Sequence, residues 1–73
     1  MIAPEGTRFT DARLIKLAQR IGEEFEEVPG LRITVAEAAR FFALDETTSA
    51  WVLGRLLAAG FLATGVDQRY RKA

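Results

Sequence analysis

The chain has 73 residues, of which 49% are hydrophobic, and this is typical of one small globular domain. It contains no cysteine and no histidine, so disulfides, thiolate or imidazole metal sites and Ser-His or Cys-His catalysis are excluded, and we expect no enzyme, no cofactor and no metal. Ten acidic residues balance ten basic ones, and this zero net charge argues against indiscriminate binding to nucleic acid.

The first nine residues contain Pro4 and Gly6 and show little periodicity, so we expect a flexible arm over residues 1–9 before one domain over residues 10–73. The arm lacks the basic start and the long apolar core of a signal peptide. No apolar run approaches the roughly 20 residues that a membrane span needs. We therefore expect a soluble, cytoplasmic protein with no membrane partner.

A long first helix is predicted over residues 10–28. Thr10 has the position of an N-cap, with Phe9 and Leu14 placed as a hydrophobic staple around it. Apolar residues then recur at three- and four-residue steps and predict a buried stripe of Leu14, Leu17, Ala18, Ile21, Phe25 and Val28. Pro29 and Gly30 end the helix, and alternation over residues 31–33 predicts a short strand.

Two shorter helices are predicted next, each with its own N-cap. Thr34 followed by Glu37 has the spacing of a capping box, which predicts a helix over residues 35–43. Asp45 is a preferred N-cap residue, which predicts another helix over residues 46–59. Gly60 stands where a left-handed residue closes a helix. Apolar spacing predicts that the two helices bury Ala38, Ala39, Phe42, Val52, Leu53 and Leu56.

The end of the chain predicts a β-hairpin. Strands are expected over residues 61–64 and 69–72, around a turn at residues 65–68, with Leu62 and Tyr70 directed inward. A single acidic residue within residues 61–73 opposes the clearest basic cluster of the sequence, Arg69, Arg71 and Lys72. Outward cations on a strand either contact phosphate or stay solvated and deter aggregation, and both interpretations stand.

The segment from Thr34 to Leu62 resembles a winged helix-turn-helix domain. Such domains show a Thr or Ser cap, a Glu-x-Ala pair, an apolar residue, a turn, a recognition helix and a Leu-x-x-x-Gly-apolar-apolar ending. The matching positions are Thr34, Glu37, Ala39, Phe42, Leu44, Leu56, Gly60, Phe61 and Leu62. The tail over residues 67–71 is similar to the far strand of the wing, where an inward aromatic alternates with basic residues. Ala43 replaces the glycine of many members and suggests a turn that needs no positive φ.

The resemblance covers nearly the whole chain and implies an α+β winged helix-turn-helix fold, with three helices and a small antiparallel β wing. It also implies a transcriptional regulator or accessory DNA-binding domain, whose helix over residues 46–59 enters the major groove of duplex DNA. The expected DNA-binding residues are Thr47, Trp51 and Arg55 on that helix, with Arg69, Arg71 and Lys72 on flanking phosphates.

The outward face of the same helix supports a second hypothesis, a protein interface. At about 100° per residue this face consists of Thr47, Ala50, Trp51, Gly54 and Ala58 and holds no charge. The three small residues would let another backbone approach closely, and Trp51 would anchor a homodimer or another protein partner. Trp51 could equally fold over Phe41 or the wing as peripheral core, and for Phe41 a place in the core is favoured.

Overall fold

The computed structural model describes residues 12–73, so the predicted arm over residues 1–9 and the N-cap at Thr10 lie outside the described residues. The described chain is a small α+β arrangement, as predicted, in which each helix ends one or two residues earlier than expected. Its elements are α1 (Ala12–Glu27), α2 (Val35–Phe41), α3 (Glu46–Ala58), β1 (Leu62–Thr64) and β2 (Tyr70–Lys72).

The apolar stripe of α1 forms one wall of the core. Ile21 and Phe25 are buried, as the three- and four-residue spacing predicts. The expected burial of Val28 is wrong, because 40% of this residue is exposed. α1 has ended before Val28, which lies in the turn at Pro29, and positions beyond the end of a helix no longer follow its stripe.

The N-caps predicted for α2 and α3 are both confirmed. The backbone N–H of Glu37 donates to Thr34 Oγ1 at 3.1 Å, and the N–H of Thr34 donates to Glu37 Oε1 at 3.0 Å. The N–H of Thr48 donates to Asp45 Oδ1 at 2.7 Å. These bonds satisfy N–H groups that have no acceptor inside their own helix, so α2 and α3 begin where the sequence predicts.

The turn between α2 and α3 contradicts one prediction, because Ala43 has a φ of 58°. The N–H of Leu44 donates to the carbonyl of Ala39 at 2.7 Å, and the N–H of Ala43 donates to that of Arg40 at 3.3 Å. This pair of bonds is a Schellman motif, which requires a left-handed residue after the C-cap whatever its side chain. α3 ends in the same motif, with Gly60 at the left-handed position and a φ of 80°.

Phe41 does not join the core as expected, since 59% of it is exposed. Ala38 and Ala39 occupy the inward side of α2, and Phe41 lies to one side of it, about 60° from Ala38 and about 160° from Ala39 around the helix. Its ring instead makes an edge contact with the ring of Phe42, with centroids 4.8 Å apart.

The core lies where α2 and α3 pack together and α3 contacts α1 and β1. One buried polar group ties the two shorter helices: the hydroxyl of Ser49 donates to the carbonyl of Val35 at 2.9 Å. The buried apolar cluster consists of Ile21, Phe25, Ile33, Ala38, Val52, Leu53 and Leu62.

β1 and β2 pair antiparallel, with Ala63 opposite Arg71 at the centre of the register. The predicted strand over residues 31–33 is reduced to a single bridge between Ile33 and Tyr70. The bridge does not extend because the N–H of Leu31 donates to the carbonyl of Val28 and so cannot donate to β2.

Candidate functional site

The exposed side of α3 has the composition that the sequence predicts. Thr47, Ala50 and Ala58 are exposed, and Trp51 and Gly54 are half-buried. A Cβ built on Gly54 has no described atom within 4 Å apart from the adjoining helix backbone, so the helix surface there is open. This surface, defined as the α3 face, carries no formal charge and extends along the helix from Thr47 to Ala58.

Acidic groups stand at the start of the α3 face. Asp45 caps the helix, and Glu46 follows it as an exposed residue of the first turn. The hydrogen bond from the Thr48 backbone lowers the pKa of the Asp45 carboxyl below its ordinary value, so this group is ionised at neutral pH. A phosphate approaching this end of α3 would be repelled, whereas the exocyclic amine of a cytosine could donate to Glu46.

Trp51 contributes to the packing of the domain itself, because it packs against the core cluster while remaining half-buried. Arg55, one helical turn later, lies over the indole, with its Cζ 5.3 Å from the ring centroid. This distance is within the range of a cation–π contact, so the cation of α3 is held beside the α3 face.

The three basic residues of the hairpin have different surroundings. Arg69 was expected to point outward, yet its Nη1 lies 2.8 Å from Glu37 Oε1 and 3.3 Å from the carbonyl oxygen of Arg32. Lys72 Nζ lies 3.9 Å from a carboxylate oxygen of Glu26 and 5.4 Å from the centroid of the Phe61 ring. Two of the three expected phosphate ligands therefore already have carboxylate partners within the domain.

Arg71 is the member of this cluster that has no carboxylate partner within residues 12–73. It lies opposite Ala63, and its Nη1 is 3.8 Å from the position that a Cβ on Gly65 would take. Its guanidinium thus extends along the hairpin towards the turn, where Asp67 Oδ1 lies 3.7 Å from the same Cβ position without forming an ion pair with Arg71.

Sequence reasoning missed two contacts of the Arg69 guanidinium, one with the carboxylate of Glu37 and one with the backbone carbonyl of Arg32. Glu37 was expected only to cap α2, but its carboxylate also binds Arg69. Its pKa is lowered first by the hydrogen bond from the Thr34 backbone and then, despite some desolvation, by the charge of Arg69. Arg32 was used only as the polar residue in an alternating strand, although that alternation already placed its side chain on the outer side of the sheet.

The described residues offer neither of two other kinds of site. Within residues 12–73, no cluster of acidic side chains is arranged to hold a metal ion. No helix in the same span has both the length and the apolar character needed to cross a bilayer.

No protein-family model, curated protein or solved structure matches the chain. The winged helix-turn-helix interpretation therefore depends on the motifs and the layout of the chain itself.

Proposed function

We propose that the chain is a winged helix-turn-helix domain that binds duplex DNA, as a small transcriptional regulator or an accessory DNA-binding domain. The observation that supports this most is the order of parts: a capped α2, a tight Schellman turn, a capped α3 and an antiparallel hairpin directly after it. In such a layout, the second of the two helices enters the major groove and the hairpin lies beside it. This support comes from fold analogy.

The side chains of α3 limit how DNA would be read in this proposal. Thr47 supplies a hydroxyl, Trp51 an indole N–H, and Arg55 a guanidinium that would leave its contact with the indole. Arg71 is the hairpin cation available for a phosphate without breaking an ion pair. We therefore infer that binding is weak at physiological salt and depends on few phosphate contacts.

Affinity for a duplex measured against salt concentration tests the proposal. With Arg71 on a phosphate, the slope of log affinity against log salt is expected near −0.9, and if Arg69 and Lys72 also leave their carboxylates it approaches about −2.7. Arg71→Gln should reduce the slope by about 0.9, while Arg20→Gln on the outer side of α1 should not. Absence of binding at low salt would contradict the proposal.

A second function, self-association through α3, is favoured by a different observation. The α3 face is uncharged, and the space around Gly54 is open, so the backbone of another helix could approach there. Because this face has no formal charge, it has no side chain that would attract a charged partner. The same uncharged face on a second copy of α3 is complementary to it.

Sedimentation of wild type and Gly54→Leu over a wide concentration range tests this second function. A Cβ at Gly54 meets no described atom beyond the adjoining helix backbone, so leucine there should leave the fold intact and prevent close approach of the second copy. Trp51→Ala is a poorer probe, because Trp51 also packs on the core. A protein that remains monomeric at every concentration would contradict self-association while leaving the DNA proposal untouched.

A further inference from the structure

A cavity lies at the base of the hairpin, and no described residue of α3 lines it. It has a volume of about 390 Å³ and is bounded by the end of α1, the loop that follows and β2. Phe25 and Leu31 contribute apolar surface to it. Its charged lining residues are Glu26 and three cations, Arg32, Arg71 and Lys72.

Two of these cations, Arg32 and Arg71, flank the single bridge between Ile33 and Tyr70. Ile33 and Tyr70 exchange both backbone hydrogen bonds, at 3.1 and 2.7 Å. Arg32 precedes this bridge on one segment and Arg71 follows it on the other, so the alternation of side chains places both on the same side of the sheet, although the bridge itself does not extend to them.

Neither of these two arginines forms an ion pair with a described residue, although the Asp67 carboxylate lies near the Arg71 guanidinium. Within residues 12–73, no carboxylate lies within ion-pairing distance of the Arg32 or Arg71 guanidinium, in contrast to Arg69 and Lys72. The backbone N–H groups of Gly30 and Arg32, both residues of the cavity wall, also donate to no acceptor in that span. The cavity therefore offers charged and neutral donors that the described residues do not use.

The charge of the cavity matches one chemical class. Three cations and one carboxylate give a net charge of +2, and a phosphate monoester carries about −1.5 to −2 at pH 7. Guanidinium groups donate to phosphate oxygens in a bidentate manner that ammonium groups cannot. A volume near 390 Å³ falls at the lower end of the range for small-molecule sites and suits a compact ligand.

We propose that this cavity binds a small phosphorylated molecule, whose phosphoryl group is held by Arg32 and Arg71. The guanidinium of Arg71 lies towards Gly65 in the unliganded protein and reaches the ligand by rotation about its own side-chain bonds. Leu31, a half-buried residue of the cavity wall, contacts the remainder of the molecule. This site does not depend on DNA binding, but it shares Arg71 with the DNA proposal, so the two ligands would compete for that guanidinium.

Titration of ¹⁵N-labelled protein with inorganic phosphate, at constant ionic strength and pH 7.5, tests the proposal. We expect saturable shifts of the amide signals of Gly30, Arg32 and Arg71. Arg32→Gln and Arg71→Gln should each weaken binding by about tenfold or more, since each removes hydrogen bonds between charged groups. Arg40→Gln, which changes an exposed arginine of α2 outside the cavity, should bind phosphate as the wild type does.

Glu26→Gln provides the opposite change. It removes the carboxylate of the cavity and frees Lys72, so phosphate should bind several-fold more tightly. Glu27→Gln adds the same unit of charge at the end of α1 outside the cavity and should have little effect. Tighter binding cannot arise from partial unfolding, so this variant separates a ligand site from a structural role.

Three results would overturn the proposal. The first is a shift pattern that chloride reproduces at equal ionic strength, and the second is phosphate binding that Arg32→Gln and Arg71→Gln leave unchanged. The third is a response of the cavity amides to duplex DNA but not to inorganic phosphate, which would assign the arginines to a nucleic acid backbone. A cavity that binds phosphate in a protein that does not bind DNA would support this site and contradict the DNA proposal alone.

Discussion

Glu37 and Arg69 are 32 residues apart, and their ion pair joins the first turn of α2 to the hairpin. The same oxygen, Glu37 Oε1, accepts from the Thr34 N–H at 3.0 Å and from Arg69 Nη1 at 2.8 Å. Arg69 Nη1 also donates to the carbonyl of Arg32. One carboxylate thus caps a helix and fixes the residue that precedes β2, so its charge state affects both elements.

This arrangement predicts a pH dependence of stability. The pKa of Glu37 is lowered from its ordinary value of 4.5, first by the Thr34 backbone bond and also by the charge of Arg69. A group whose pKa is lowered on folding stabilises the folded state above its unfolded pKa, and the contribution is lost as pH falls through the folded pKa. We expect wild type to be more stable than Glu37→Gln at pH 7, with the difference shrinking below about pH 4.5.

Urea denaturation of both proteins between about pH 3 and pH 7 measures this difference. Asp45 also has a lowered pKa, but it is present in both proteins and its contribution cancels. A difference in the free energy of unfolding that does not change with pH would contradict the assignment to the Glu37 charge.

The two Schellman motifs predict opposite effects of exchanging alanine and glycine. Left-handed backbone costs an alanine roughly 1–2 kcal/mol, and the greater freedom of glycine in the unfolded chain offsets about 0.4–1 kcal/mol of that difference. Ala43→Gly should therefore stabilise the domain by about 0.5–1 kcal/mol, and Gly60→Ala should destabilise it by a similar amount. Chemical denaturation checks both, and a loss of stability in Ala43→Gly would show that the alanine methyl has a favourable contact.

The sequence predicted what depends on neighbours in the chain. The caps at Thr34 and Asp45 and the closing position of Gly60 each depend on residues within four positions, so local chemistry decides them. Ala43 was misjudged because side-chain preference was weighed alone. The bonds of the turn required the left-handed conformation, and the resulting cost is small beside the packing of two helices.

The candidate site was harder to predict because its charges pair across the fold. The basic cluster of the hairpin was visible in the sequence, but the partners of Arg69 and Lys72 lie on α2 and α1, far away along the chain. Direct packing of α1 on β2, and the bridge between Ile33 and Tyr70, bring those segments to the hairpin. A count of charges within residues 61–73 therefore overestimated the cations available to a phosphate.

Ser49 provides a test of the packing between α2 and α3. It is a buried polar residue, and its hydroxyl donates to the carbonyl of Val35 at 2.9 Å. Ser49→Ala should destabilise the domain by about 1 kcal/mol, because the bond is lost and the carbonyl keeps only its partner within α2. Thr47→Ala changes an exposed residue two positions earlier in α3, and its free energy of unfolding should stay within about 0.5 kcal/mol of wild type. Equal free energies of unfolding for the two variants would contradict a structural role for the Ser49 bond.

The Glu37–Arg69 pair also decides whether Arg69 can serve as a DNA ligand. If Arg69 faces phosphate in the complex, its carboxylate partner competes with DNA, and removing that partner should favour binding. Glu37→Gln should then bind a duplex more tightly than wild type, and the log–log salt slope should steepen by about 0.9 because Arg69 then neutralises one more phosphate. The same variant is expected to be less stable at pH 7, so affinity and stability should change in opposite directions.

Glu27→Gln is the matched control, since it adds the same charge at the end of α1 without freeing an arginine. An equal rise in affinity in both variants would attribute the effect to net charge, and an unchanged slope in Glu37→Gln would restrict Arg69 to a structural role and leave Arg71 as the hairpin residue that binds phosphate.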